Sequence, residues 1–152
     1  FPVVHLSTQH LEDADLAAMA TYLLGDNPPV AKAIAPVPLA QMSESAQRGR
    51  QQYLNVCAGC HGVEGQGKPH IAVAMQGNTV LRQADSRNLA KVILYGIREQ
   101  QFTGFERMQP MPGFADKLGE RQVTDMVNYL RQAWGGLPGD FSEQQLAELK
   151  AE

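Results

Sequence analysis

Cysteine is scarce in this chain. Two thiols in 152 residues exclude a disulfide framework, and a bridge between Cys57 and Cys60 would close a very small, strained ring. A structural zinc site needs two further ligands, yet there is no third cysteine, and His5, His10 and His70 are scattered rather than spaced as a ligand pair. Long apolar runs are missing too. None approaches the ~20 residues that a helix needs to cross a bilayer. Nor is there an excess of positive charge: the formal net charge is −3. Residues 1–40 hold the whole imbalance, with Glu12, Asp13, Asp15 and Asp26 against Lys32, while twelve acids and twelve bases cancel in the remainder. Neither a nucleic-acid surface nor a strongly basic docking face is signalled. The opening Phe1-Pro2 has no initiator methionine and no leader pattern, and reads as a processed or trimmed chain.

What the chain does contain is enough apolar sequence, 43% of residues, for one globular core plus some extra length. Its most informative stretch is Cys57-Ala58-Gly59-Cys60-His61. C-x-x-C-H is the signature of covalent haem attachment: the thiols become thioethers on the haem vinyl groups, and the adjacent imidazole is delivered to the iron. A thioredoxin-type pair would call for a strand before the cysteines and a long helix after them. Here an amphipathic helix pattern precedes and the Gly-rich run Gly62 to Pro69 follows. Spaced glycines also prompt a search for a nucleotide loop, but no apolar strand leads into them.

A histidine-ligated haem that carries electrons needs a sixth ligand, and a thioether is the usual partner when the potential is to be raised. Of six methionines, Met111 lies between Pro110 and Pro112, where the stiffened backbone can hold a sulfur in place. Met108 is its rival, and Met19, Met42, Met75 and Met126 read as packing residues. Helices are expected after the caps Ser43, Ser86 and Ser142, and from Glu120 to Trp134. The face Leu89, Val92 and Ile93 of the middle helix is expected to cover the haem edge. Arg98 is either a propionate partner or a solvated cation, and Trp134 either a core anchor or an indole donor to a propionate. His70 reads as a loop histidine, with iron ligation or proton coupling as the sharper alternative. Gly49, one turn before Tyr53, suits a close helix crossing.

These residues bring a family into view. From Ser43 to Trp134 the chain resembles a small class I cytochrome c: a helix into CAGCH, a Gly-rich loop, a middle helix, the ligand loop Met111-Pro112-Gly113-Phe114 and a closing helix. The ending is most similar to the last haem domain of the multihaem cytochrome subunits that serve membrane-bound periplasmic dehydrogenases of the alcohol, gluconate and aldehyde type. The resemblance implies an all-α fold with crossing terminal helices and one covalent haem c per chain, with His61 and Met111 as iron ligands. It implies Met75 as a wall residue of the haem pocket and the closing helix as the partner of Gly49; Val92, Ile93, Arg98, Phe114 and Trp134 are the further candidate haem-binding residues. It further implies that residues 1–24 are the last helix of a preceding domain, with the proline-rich linker from Asp26 to Pro38 extending across a surface. The expected organisation is 1–40 as extension and linker, 41–136 as haem domain and 137–152 as a tail with a short helix.

The function implied is electron relay, not catalysis, between a periplasmic dehydrogenase subunit and quinone or another cytochrome domain. Membrane association would come through the complex, and a second copy of the chain is an alternative cover for the N-terminal helix. The competing reading is a haem enzyme or gas sensor with an open sixth position. A third is a redox or metal module using Cys57 and Cys60 without haem.

Overall fold

The computed structural model describes residues 7–27, 34–35, 37–99 and 109–151. Among them lie only helices, turns and two isolated β-bridges, as an all-α class I cytochrome c fold requires. Val3 to His5, the linker residues Pro28, Pro29 and Pro36, the rival ligand Met108 and most of the polar approach to the ligand loop fall outside the described residues. The chain divides into two compact units, Phe1–Ala33 with Gln101–Arg107, and Ile34–Gln100 with Met108–Glu152.

In the smaller unit, α1 (Asp13–Leu24) starts with Asp13 and Asp15 in its first turn and ends at Gly25, whose N–H bonds back to Thr21. Acids near the helix N-terminus suit its positive end. No residue of α1 is buried, and Tyr22 is 89% exposed. Among the described residues no helix is long and apolar enough to cross a membrane.

The larger unit is built on the contact between α2 (Glu44–Val56) and α5 (Glu120–Leu130). Ser43 caps α2 as expected, its hydroxyl accepting from the Ala46 N–H at 3.2 Å. Ala46, Gly49 and Tyr53 fall at helical spacing and are the buried stripe of α2. A β-carbon on Gly49 would run into the Asp125 carbonyl and lie 2.8 Å from Tyr129 Cβ. The close crossing therefore forms, against Asp125 and Tyr129. Beside it the Asp125 carboxylate takes two bonds from Arg48, at 2.8 and 2.9 Å, and one from Ser45 Oγ at 2.6 Å. Tyr53 and Tyr129 then each meet Trp134 edge to face and each other at a tilt, with ring centroids 5.1 to 5.5 Å apart.

Two local expectations are corrected and a third is refined. The middle helix, Arg87–Tyr95, comes after the four-residue helical turn α3 (Ala58–His61) and is α4. Ser86 stands at its N-cap position with near-helical backbone angles but makes no side-chain cap bond; that bond comes instead from Asp85, whose Oδ1 accepts from the Arg87 N–H at 2.8 Å. Its buried face is Leu89, Ala90, Ile93 and Leu94, with Val92 only half-buried. The closing helix runs on to Gly135 as expected, α-helical to Leu130 as α5 and then as the wider π-helical turn Arg131–Gly135. That turn brings Gly135 against the Leu81 carbonyl, where a side chain would not fit.

The tail is part of the core. Ser142 and Gln145 cap each other to open α6 (Glu143–Ala151), and Phe141, Leu146 and Leu149 join the buried cluster. Fully burying a leucine is worth about 1.5 to 3 kcal/mol.

Candidate haem-attachment site

Cys57 lies between the two helices, as the C-cap of α2 and the N-cap of α3. Its N–H bonds to the Tyr53 carbonyl at 2.9 Å, and its own carbonyl accepts from Cys60 at 3.1 Å and His61 at 2.9 Å. One helical turn thus presents both thiols and the imidazole. Cys57 is 7% exposed, whereas Cys60 is exposed. Burial, helped by the neighbouring Cys60, pushes the Cys57 thiol up to about 12.

His61 is buried with Nδ1 2.9 Å from the Val73 carbonyl. A carbonyl can only accept, so Nδ1 carries the proton and Nε2 keeps its lone pair for a metal. The turn is braced from outside: Gly67 N–H bonds to His61 O at 2.7 Å, Lys68 Nζ to Gly59 O at 2.6 Å, and Tyr53 Oη to Gly62 O. Met75 is buried, and its N–H bonds to the Gly65 carbonyl at 2.8 Å. A side chain at Gly65 would have to displace Trp134, whose ring sits there, and Met75.

Met111 belongs to a second cluster. Its N–H and carbonyl both pair with Ile97 at 2.9 Å, while the Phe114 N–H reaches the carbonyls of Ile93 and Leu94 at 3.0 Å. The last carbonyls of α4, which lack partners inside the helix, are therefore satisfied by the ligand loop. Gly96 turns the chain with φ +72°, and the Met111 carbonyl occupies the place of its missing side chain. Met111 is half-buried, Phe114 buried and Ile93 buried. Arg98 and His70 are exposed. Cys57, Cys60 and His61 are thus gathered on one turn, Met75 and Trp134 meet at Gly65, and Ile93, Met111 and Phe114 meet at the end of α4.

Residue-type reasoning missed the Val73 carbonyl, the Lys68 brace and the placement of Met126, whose sulfur is 3.6 Å from Cys57 Sγ. A backbone acceptor has no sequence signal, and a methionine in a helical stripe reads as core. Two thiols on one turn beside a histidine of fixed tautomer suit covalent haem and its iron.

Comparison with known proteins agrees. The cytochrome c family model matches residues 46–134. The chain is 31% identical over 97% of its length to the "Alcohol dehydrogenase (quinone), cytochrome c subunit" of Gluconobacter oxydans (strain 621H), covering 32% of that protein. It is 29% identical, again over 97% of its length, to the "Gluconate 2-dehydrogenase cytochrome c subunit" of Pantoea cypripedii, covering 35% of it. Cytochrome c-552 of Thermus thermophilus is 30% identical over 62% of this chain and 79% of its own. The chain spans about a third of the length of the dehydrogenase subunits it matches.

The chain belongs to the cytochrome c family. It carries covalent haem c and is an electron-transfer domain homologous to cytochrome subunits of dehydrogenases.

Proposed function

We propose that this domain receives electrons from a dehydrogenase subunit in the periplasm and passes them to quinone or another cytochrome domain. In this reading Cys57 and Cys60 hold the haem, and His61 and Met111 are its axial ligands. Met75, Val92, Ile93, Phe114 and Trp134 line its pocket, and Arg98 lies near a propionate. Bound haem c supplies one-electron exchange between ferric and ferrous iron. The chain's own contribution is to hold an imidazole and a thioether in fixed places, so that no coordination position is left for a substrate and the domain acts as a carrier rather than a catalyst.

The observation that carries the reading is the pair of backbone clamps. His61 is oriented by the Val73 carbonyl at 2.9 Å, and Met111 is tied through both of its backbone groups to Ile97 at the end of α4. Rigid ligand placement suits electron transfer, in which the coordination shell should change little. The relatives' longer chains support reading α1 as the closing helix of a preceding domain, with residues 41–136 as the haem domain and 137–152 as its tail. Were α1 covered by a second copy instead, sedimentation would show a dimer. No observation favours an open sixth position.

The test is the visible spectrum of the holoprotein, oxidised and reduced, extended into the far red where ferric iron bound to methionine absorbs. A c-type spectrum with that band, lost in Met111→Ala, is expected. A ferric spectrum without the band, or a band that survives Met111→Ala, would overturn the ligand assignment.

A further inference from the structure

The aliphatic residues buried along α5, Val123, Val127 and Leu130, can only pack. Met126, on the same stripe, is 0% exposed, and its Sδ stands 3.6 Å from Cys57 Sγ. Cys57 is where the haem is held. In that attachment the S–H adds across a vinyl double bond: a C–S bond forms, the hydrogen goes to the other vinyl carbon, and no electrons are gained or lost. The haem periphery then begins one bond from Cys57 Sγ, within van der Waals reach of an atom already touching that sulfur.

We propose that Met126 is a haem-contact residue whose sulfur sets the reduction potential. A thioether is polarizable and carries lone pairs, and it makes favourable contacts with aromatic systems. Placed against the porphyrin edge in a buried setting, its partial negative charge favours the ferric form, the more positive of the two states. A residue that only packs would be replaceable by leucine at nearly constant volume with no electronic effect. A tuning residue would not. The inference rests on haem attachment at Cys57 and is independent of whether Met111 is an iron ligand.

The experiment is a redox titration of holo Met126→Leu beside the wild type. A pyridine haemochrome assay confirms attachment, and the far-red band reports axial ligation in each. The expected result is a higher potential in the variant with both controls unchanged. An equal potential overturns the proposal. The second measurement needs no variant: with methyl-labelled methionine, the Met126 methyl resonance of the reduced wild-type protein should be displaced by the haem ring current and move again on oxidation. A Met126 methyl at its ordinary position in both states overturns the proposal, even if Met126→Leu fails to accumulate folded. Absence of the far-red band in the wild type would count against Met111 alone and leave both readings of Met126 intact.

Discussion

Asn128 holds Phe141 by both ends of its amide: Oδ1 accepts from the Phe141 N–H at 2.9 Å, and Nδ2 donates to the Phe141 carbonyl at 3.0 Å. The same Nδ2 donates to Ser45 Oγ at 2.9 Å, which ties the tail to α2 through α5. One turn later, the buried guanidinium of Arg131 donates to the carbonyls of Pro138, Gln83 and Ala84 and to the Asp140 carboxylate. Polar side chains of α5 and of the turn after it thus fix the entry to α6.

Replacing Asn128 with leucine leaves both Phe141 backbone groups unsatisfied in a site where the residue is only 2% exposed. An unpaired buried polar group costs about 1 to 3 kcal/mol. Asn128→Leu is expected to lower the stability of the holoprotein by about 2 to 4 kcal/mol in chemical denaturation, summing two such losses below their maximum. Its visible spectrum should be unchanged, because the contact lies away from the ligand clamps.

Gly49→Ala decides between helix propensity and packing. Propensity alone favours alanine by about 1 kcal/mol. The added methyl would meet the Asp125 carbonyl and Tyr129 Cβ, so α2 and α5 must part, and overpacking of this kind costs about 1 to 3 kcal/mol. The expected outcome is net destabilisation in a thermal melt followed by far-UV circular dichroism.

At Gly96 the same change acts on the ligand loop. Alanine there is strained by φ +72° and collides with the Met111 carbonyl. In Gly96→Ala the far-red band should weaken, and on heating it should disappear before helicity does. A variant whose band and melting match the wild type would disconnect this turn from the iron.

Tyr53 provides a pH signature. Burial first, with nearby ionisable groups adding to it, raises its phenol above the ordinary value of 10.0, and Tyr129 is raised for the same leading reason. Below pH 10.0 both phenols are neutral whether the chain is folded or not, so their contribution is complete. Above it the unfolded chain releases protons that the folded chain keeps, and stability falls as pH rises. Denaturation midpoints between about pH 8 and pH 11 should fall less steeply in Tyr53→Phe, which has one fewer such proton. At the lower end Tyr53→Phe should be weaker by about 1 to 3 kcal/mol, because the Gly62 carbonyl loses its donor.

Much of the site was legible because its chemistry is local in sequence. CAGCH specifies its own turn, the prolines around Met111 announce a held loop, and Gly49 with Tyr53 announces a crossing. The missed parts depend on the chain meeting itself. Asp85 and Ser86 are both good caps by residue type, and only the backbone angles at Ser86 choose between them. The widening of the closing helix after Leu130 accompanies the fit of Gly135 on Leu81, 54 positions away. The docking of α6 rests on Asn128 and Arg131, which in a sequence look like the solvated side of a helix.

The 7% exposure of Cys57 has a bearing on how the holoprotein comes to be. That thiol is shut in once α5 lies across α2, and α5 follows Cys57 in the order of synthesis. Whatever joins haem to it must work while the chain is still open, so maturation and closure run as a race. A chain that closes first would offer its exposed thiol at Cys60 and withhold the other, leaving a singly tethered product. Variants that slow the pairing of α2 with α5 would therefore lengthen the interval in which the second bond can be made.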